Sequence, residues 1–152
     1  MAEEAGHTMI IGFTGTREGM TSNQKEELFA QLGKVMFGMR PMRQGWHVFH
    51  HGDCIGADDE AARMAHTLGF IVVSHPSDLI KQRAYSPSHF VCDPRPPLKR
   101  NEDIVMVSEL VFACPKTIGE DIRSGTWATI RFAKKHCRDE SISTRSLHII
   151  NP

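Results

Sequence analysis

"HHGDCIGADDEAARMA" occupies His50–Ala65, and its first ten residues hold two histidines, three aspartates and a cysteine. The composition suggests metal ligands, but the local geometry does not. Adjacent side chains of an extended strand point to opposite faces, so His50 and His51 diverge. No H-x-x-x-H or second ligand cluster accompanies them, and a closed site needs about four converging ligands. No metal and no cofactor is therefore expected. The stretch reads instead as the end of a strand, a turn bracketed by Gly52 and Gly56, and a helix with Asp58 as its N-cap. Alanines and Met64 line one side of that helix, and Gly69 suits its C-terminal cap.

The same alternation extends in both directions. Upstream, "TMIIGFTG" (Thr8–Gly15) is an apolar run that reads as a buried strand. Thr21-x-x-Gln24 then forms a capping-box pattern, opening a helix with Leu28, Leu32, Val35 and Met36 on one face and an end near Gly38–Pro41. "WHVFHH" (Trp46–His51) is the second strand, and "FIVVSHP" (Phe70–Pro76) the third. Strand, helix, strand, helix, strand implies a parallel sheet with right-handed crossovers. Ser77–Pro97 is a proline-rich segment that reads as a long loop. "LKRNEDIVMVS" follows as a helix, "ELVFACP" as a strand, "KTIGEDIRSG" as a polar loop, "SGTWATIRFAKKHC" as a helix capped by Ser124, and "SLHIINP" as a last strand. The expected fold is a single α/β Rossmann-like domain over 8–152, with a parallel sheet of about five strands flanked by helices. Residues 1–7 are expected to form a flexible N-terminal segment.

Composition limits the function classes. The chain has 152 residues with 18 basic and 18 acidic side chains, a formal net charge of zero. A dedicated nucleic-acid or membrane-surface protein usually carries a basic excess. Lys134, Lys135 and Arg138 make a local basic patch, which reads as a solvated helix end. None of the cysteines (Cys54, Cys92, Cys114 and Cys137) forms a C-x-x-C pair, and neither a signal-peptide pattern nor an apolar run of spanning length occurs. A cytoplasmic protein with free thiols is expected.

Ligands of open parallel sheets bind beyond the carboxyl ends of the strands. The segments there are Gly15-Thr16-Arg17, "HGDCIGAD", His75-Pro76 and the run from Pro115 to Thr126. Glycine lets a phosphate approach the backbone, and the first N–H groups of a helix are free donors. Ser124-Gly125-Thr126 has that form, with Arg123 beside it and Arg17 and Arg100 as candidate cations. Asn101 could read a base edge or hold a loop. Neither G-x-G-x-x-G nor the P-loop pattern occurs, which argues against ATP hydrolysis of the P-loop type.

In order, "GFTGTR", "HGDCIGADDEAARMA", "HP", "KRNEDIV", "VFACP" and "SGTWATIRFA" resemble the SLOG superfamily of Rossmann-like nucleotide-binding proteins, most of all its YspA-like branch. The resemblance covers Ile10–Ala133. It implies a nucleotide-type small-molecule ligand and a homo-oligomer more firmly than a reaction. The superfamily's LOG phosphoribohydrolases carry P-G-G-x-G-T-x-x-E, and here Thr129 stands where their glutamate does. A hydroxyl cannot supply the carboxylate that glycosidic cleavage usually requires. The S-G-T-x-x-T pattern is nearer to DNA-processing protein A.

The leading expectation is binding, as sensor or sponge, of a nucleotide or nucleotide-derived signal such as a cyclic or ADP-ribose-type molecule, of the kind used in antiviral signalling. Arg17, Arg100 and Ser124–Thr126 would hold phosphate, while Gly52, Asp53 and Gly56 border the ribose. His51, His75 and Pro115 are further candidate contacts. A phosphoribohydrolase is the alternative, with Asp53, Glu120 or Asp121 as catalytic carboxylate. Single-stranded DNA binding is the third reading. Tyr85 and Phe90 in the proline-rich segment could form a lid that stacks on a base.

Overall fold

The computed structural model describes residues 8–38, 46–137 and 145–152. Six parallel strands form one sheet: β1 (Ile10–Gly15), β2 (Val48–His51), β3 (Ile71–Ser74), β4 (Phe90–Val91), β5 (Leu110–Cys114) and β6 (Ser146–Ile149). Four helices flank it: α1 (Ser22–Phe37), α2 (Ala57–Leu68), α3 (Pro97–Val107) and α4 (Gly125–Cys137). The spatial order is β4-β3-β2-β1-β5-β6. The chain winds outward from β1 in one direction through β4, then returns through α3 to pair β5 on the other side of β1. The reversal places a topological switch point between β1 and β5.

The apolar core follows from the side-chain pattern. Ile11, Phe13, Phe49, Phe70 and Val72 are buried beneath Leu28, Leu32 and the alanines of α2. Phe49 lies between Phe13 and Phe70, with ring centroids 6.0 and 6.2 Å away. Burying each such ring contributes roughly 2–3 kcal/mol. Ala57, Ala61, Ala62 and Ala65 bring α2 close to the sheet because they carry no bulk.

The Thr21–Gln24 capping box is formed in full. The buried Gln24 amide also donates to the carbonyls of Pro115 and Ile150, at 2.8 and 3.0 Å, tying α1 to the end of β5 and to the C-terminal segment. Gly69 closes α2 in the left-handed region, with φ 96. Ser124 caps α4 by accepting from the Trp127 N–H at 3.2 Å.

The structure corrects three expectations. The sheet has six strands rather than five. The additional strand is β4, two exposed residues on the sheet edge within the proline-rich segment. A strand this short has no alternation to detect, and a single turn of 3₁₀ helix at Ile80–Gln82 further divides the expected loop. Strand β2 starts at Val48, leaving Trp46 outside it and exposed. The N-cap of α2 is Gly56, not Asp58. Gly56 has φ 91, and a Cβ there would lie 2.3 Å from the Arg17 carbonyl oxygen. The helix can therefore begin at Ala57, one residue before Asp58. The expected helix end near Pro41 and the basic Arg138 lie outside the described residues, as does the 1–7 segment.

Candidate functional site

A cavity of about 600 Å³ lies at the switch point. Its floor is the end of β1, Phe13–Gly15, continuing into Thr16–Glu18. One wall comes from the β5–α4 connection: Lys116, Thr117, Asp121 and Arg123–Thr126. The other comes from Cys54 and Asp58, from Leu79 and Gln82, and from the first turns of α3.

The β5–α4 wall is electropositive and open. The N–H groups of Gly125 and Thr126 have no acceptor among the described residues, since Ser124 serves Trp127 and Ala128. Arg17 and Arg123 are exposed and have no ion-pair partner among the described residues. Lys116 is paired with Glu18 at 2.8 Å. Asp121 is occupied within its own loop, accepting from the Arg123 N–H at 3.0 Å. Thr129, on the first turns of α4, is buried and donates to the Gly125 carbonyl at 2.9 Å. It faces a groove between α3 and α4 rather than this cavity.

The opposite wall is built around Arg100, a buried cation. Its Nη1 donates to the Gly52 carbonyl and, at 3.0 Å, to the His75 carbonyl. Its Nε donates to Asn101 Oδ1 at 2.7 Å, and its Nη2 reaches Cys54 Sγ at 3.5 Å. Of the five guanidinium N–H donors, one on Nη2 is left for a ligand. Asp58 is 6% exposed and lines the cavity, yet it has no ion-pair partner among the described residues. Its Oδ2 accepts from the Cys54 N–H at 3.3 Å. Burial pushes its pKa up to about 6, against the pull of Arg100. Burial, aided by Asp58, also raises the Cys54 thiol, which therefore stays protonated and is a poor nucleophile.

Of the residues singled out in the sequence, Gly15, Thr16, Arg17, Arg100, Asn101, Asp121, Ser124, Gly125 and Thr126 meet at this cavity. The others sit elsewhere. Gly52 lies behind the wall, where a Cβ would meet Asp58 Oδ2 at 2.7 Å and Arg100 Nη1 at 2.9 Å. Asp53 is buried in the left-handed region, with φ 53. Its carboxylate accepts from Arg83 Nε and from the Ser86 N–H, both at 2.9 Å, and faces residues 83–86. Glu120 pairs with Arg131. The Pro115 carbonyl is taken by Gln24. The proline-rich segment contributes Leu79 and Gln82 to the cavity. Neither Tyr85, which stacks under Arg83 at 4.3 Å, nor Phe90 lines it.

The two histidines diverge as strand geometry requires. His50 meets His75, with Nδ1 and Nε2 2.8 Å apart. His51 Nδ1 accepts from the Asp53 N–H at 3.0 Å, so the neutral ring carries its proton on Nε2 and donates to Ser74 Oγ at 3.1 Å. That tautomer cannot take a proton from serine. Burial also holds the pKa of His51 down to about 4. The His51–Ser74–Ser88 cluster is thus a core network and not a nucleophile with its base.

Sequence reasoning missed Cys54 as a cavity residue and read Asp58 as a helix cap, because the motif led to their neighbour Asp53. It also missed Lys116 and Leu79. Arg123 was legible from its position directly before the Ser-Gly-Thr helix start, and it lines the cavity.

No family model and no curated protein matches the chain. Solved structures do match. The molybdenum cofactor binding protein from the phototrophic bacterium Rippkaea orientalis superposes with TM-score 0.66 at 19% identity, over 96% of this chain and 78% of the other. The protein TM1055, a structural-genomics target, gives 0.57 at 17%, over 85% and 70%. The molybdenum cofactor carrier protein of Chlamydomonas reinhardtii gives 0.57 at 16%, over 96% and 79%. At these identities the likeness establishes the Rossmann-like fold. Among the described residues no helix is long and apolar enough to cross a membrane.

Proposed function

We propose that this chain binds a phosphorylated, nucleotide-type small molecule in the switch-point cavity. One observation carries the proposal. The N–H groups at the start of α4 and the cations Arg17 and Arg123, without partners among the described residues, belong to one cavity at the ligand-binding position of the fold. Donors fixed on a helix terminus hold an anion with little reorganisation, and arginine adds charge and a two-pronged contact. The SLOG resemblance and the cofactor-binding names of two structural neighbours support a small-molecule ligand. The YspA-like branch, a signalling role and a homo-oligomeric state belong to the same proposal.

Native mass spectrometry of the purified protein tests the ligand class and the oligomeric state together. Thermal-shift titration tests the site. Inorganic phosphate and nucleoside monophosphates should raise Tm, because a ligand that binds only the folded state stabilises it by mass action. Arg17→Ala with Arg123→Ala should abolish the shift. An unchanged shift in that double variant would sink the proposal.

A hydrolytic reading has one observation in its favour. Asp58 is a buried carboxylate in the cavity with its pKa raised to about 6, a value suited to acid–base work. Of the carboxylates singled out in the sequence as catalytic, Asp53 and Glu120 do not line the cavity. Release of free base from a nucleoside monophosphate, lost in Asp58→Asn, would establish this reading.

A further inference from the structure

The cavity has a second end, and its chemistry differs from the phosphate end. In the sheet order, β2 and β5 flank β1 on opposite sides. Asp58, which follows β2, and the α4 start, which follows β5, are therefore separated by two strand spacings, roughly 10 Å. A phosphorylated heterocycle bridges such a span, with its ring at the Asp58 end.

Three features there fit a ring of one kind. Leu79 and Leu98 line the cavity from different elements while remaining 48% and 59% exposed, offering apolar surface to a flat ring. Asp58 is buried without a cation partner among the described residues and, when ionised, is acceptor-only. Asn101 has its Oδ1 engaged by Arg100 Nε at 2.7 Å, which fixes the amide and leaves Nδ2 as a donor. The wall thus presents an acceptor and a donor.

We infer that this end selects a heterocycle whose edge carries adjacent N–H donors beside a carbonyl, the edge of the fused 2-amino-4-oxopyrimidine ring shared by guanine and pterins. Asp58 accepts from the ring N–H and the exocyclic amine, and Asn101 Nδ2 donates to the carbonyl. Adenine offers a ring acceptor where this edge needs a donor, so it leaves the Asp58 carboxylate facing a lone pair. Burial of unpaired polar groups is what makes such a mismatch costly. The inference rests on the phosphate site proposed above and adds the identity of the ring.

Calorimetric titration of the full-length protein with GMP, IMP, AMP and inorganic phosphate tests it. GMP should bind at least tenfold tighter than AMP, with IMP, which lacks the exocyclic amine, in between. Asp58→Asn, checked for folding by circular dichroism, should remove the preference, so that GMP binds no tighter than AMP. Wild-type discrimination among the nucleotides keeps the test valid if that variant does not fold. AMP binding as tightly as GMP overturns the inference while the phosphate site stands. Absence of binding by phosphate and all three nucleotides overturns both. Displacement of GMP by 6-hydroxymethylpterin, compared with guanosine, separates the two ring sources.

Discussion

The β2–α2 turn and the β5–α4 turn look alike in sequence, each rich in glycine and charge, and the fold uses them in opposite ways. In the first, His51, Asp53 and the backbone of Gly52 are buried, and their polar groups are already bonded to Ser74, Arg83, Ser86 and Arg100. In the second, Arg123 is exposed and the N–H groups of Gly125 and Thr126 lack acceptors among the described residues. The first turn is a clamp. Its Asp53 carbonyl accepts from the Ala84 N–H at 2.8 Å, and Ile55 donates to Gln82 at 2.9 Å, fastening the proline-rich segment beside the cavity. The comparison teaches that a ligand loop is recognised by polar groups left unspent, not by polar density.

The largest test of this contrast is Asp53→Ala. It removes a carboxylate that is 1% exposed from both Arg83 and Ser86, and it places alanine at φ 53. Loss of about 3 kcal/mol of stability is expected in urea denaturation. Asp53→Asn keeps an acceptor for Ser86 and tolerates the backbone conformation, so it should lose less. A variant with unchanged stability would break the clamp assignment.

The next effect is the pH dependence of the same turn. The pKa of His51 lies at about 4 in the folded chain, below its ordinary 6.5, so unfolding takes up a proton between those values. Its contribution is complete above pH 6.5 and is lost as pH falls to 4, at roughly 3 kcal/mol. Asp58 acts oppositely. Its pKa is raised from 3.8 to about 6, so its contribution is complete at low pH and is lost, by a similar amount, as pH rises through 6. These two nearly cancel. His50, at about 4, and His75, also lowered, share one hydrogen bond and titrate in the direction of His51. Denaturation at pH 4.5 should therefore show a net loss of about 2 kcal/mol relative to pH 6.5. Asp58→Asn should deepen that loss.

Smaller effects belong to the β5–α4 turn. Ser124→Ala removes the α4 cap and should cost about 1 kcal/mol. Arg123→Ala should change stability by less than about 0.5 kcal/mol, yet weaken inorganic phosphate about tenfold, as loss of a charged hydrogen bond does. A stability loss in Arg123→Ala as large as that of Asp53→Ala would erase the contrast between the turns.

The sequence by itself determined the alternation of strands and helices, the capping box at Thr21, the helix stop at Gly69 and the Ser124 cap. Each depends on neighbours within a few positions, where side-chain periodicity and backbone preference act. It also marked the β1 and α4 ends of the cavity, because a Ser-Gly-Thr helix start and an arginine after a strand are local features. Tertiary structure decided the rest. The positive φ of Gly56 moved the start of α2 and sent Asp58 into the cavity wall, while the Arg83 guanidinium, 30 positions downstream, drew Asp53 away from it. Strand β4 exists only because the edge of β3 was open to pair it. Which polar groups remain free for a ligand is a property of distant partners, and those partners become neighbours only when the sheet assembles.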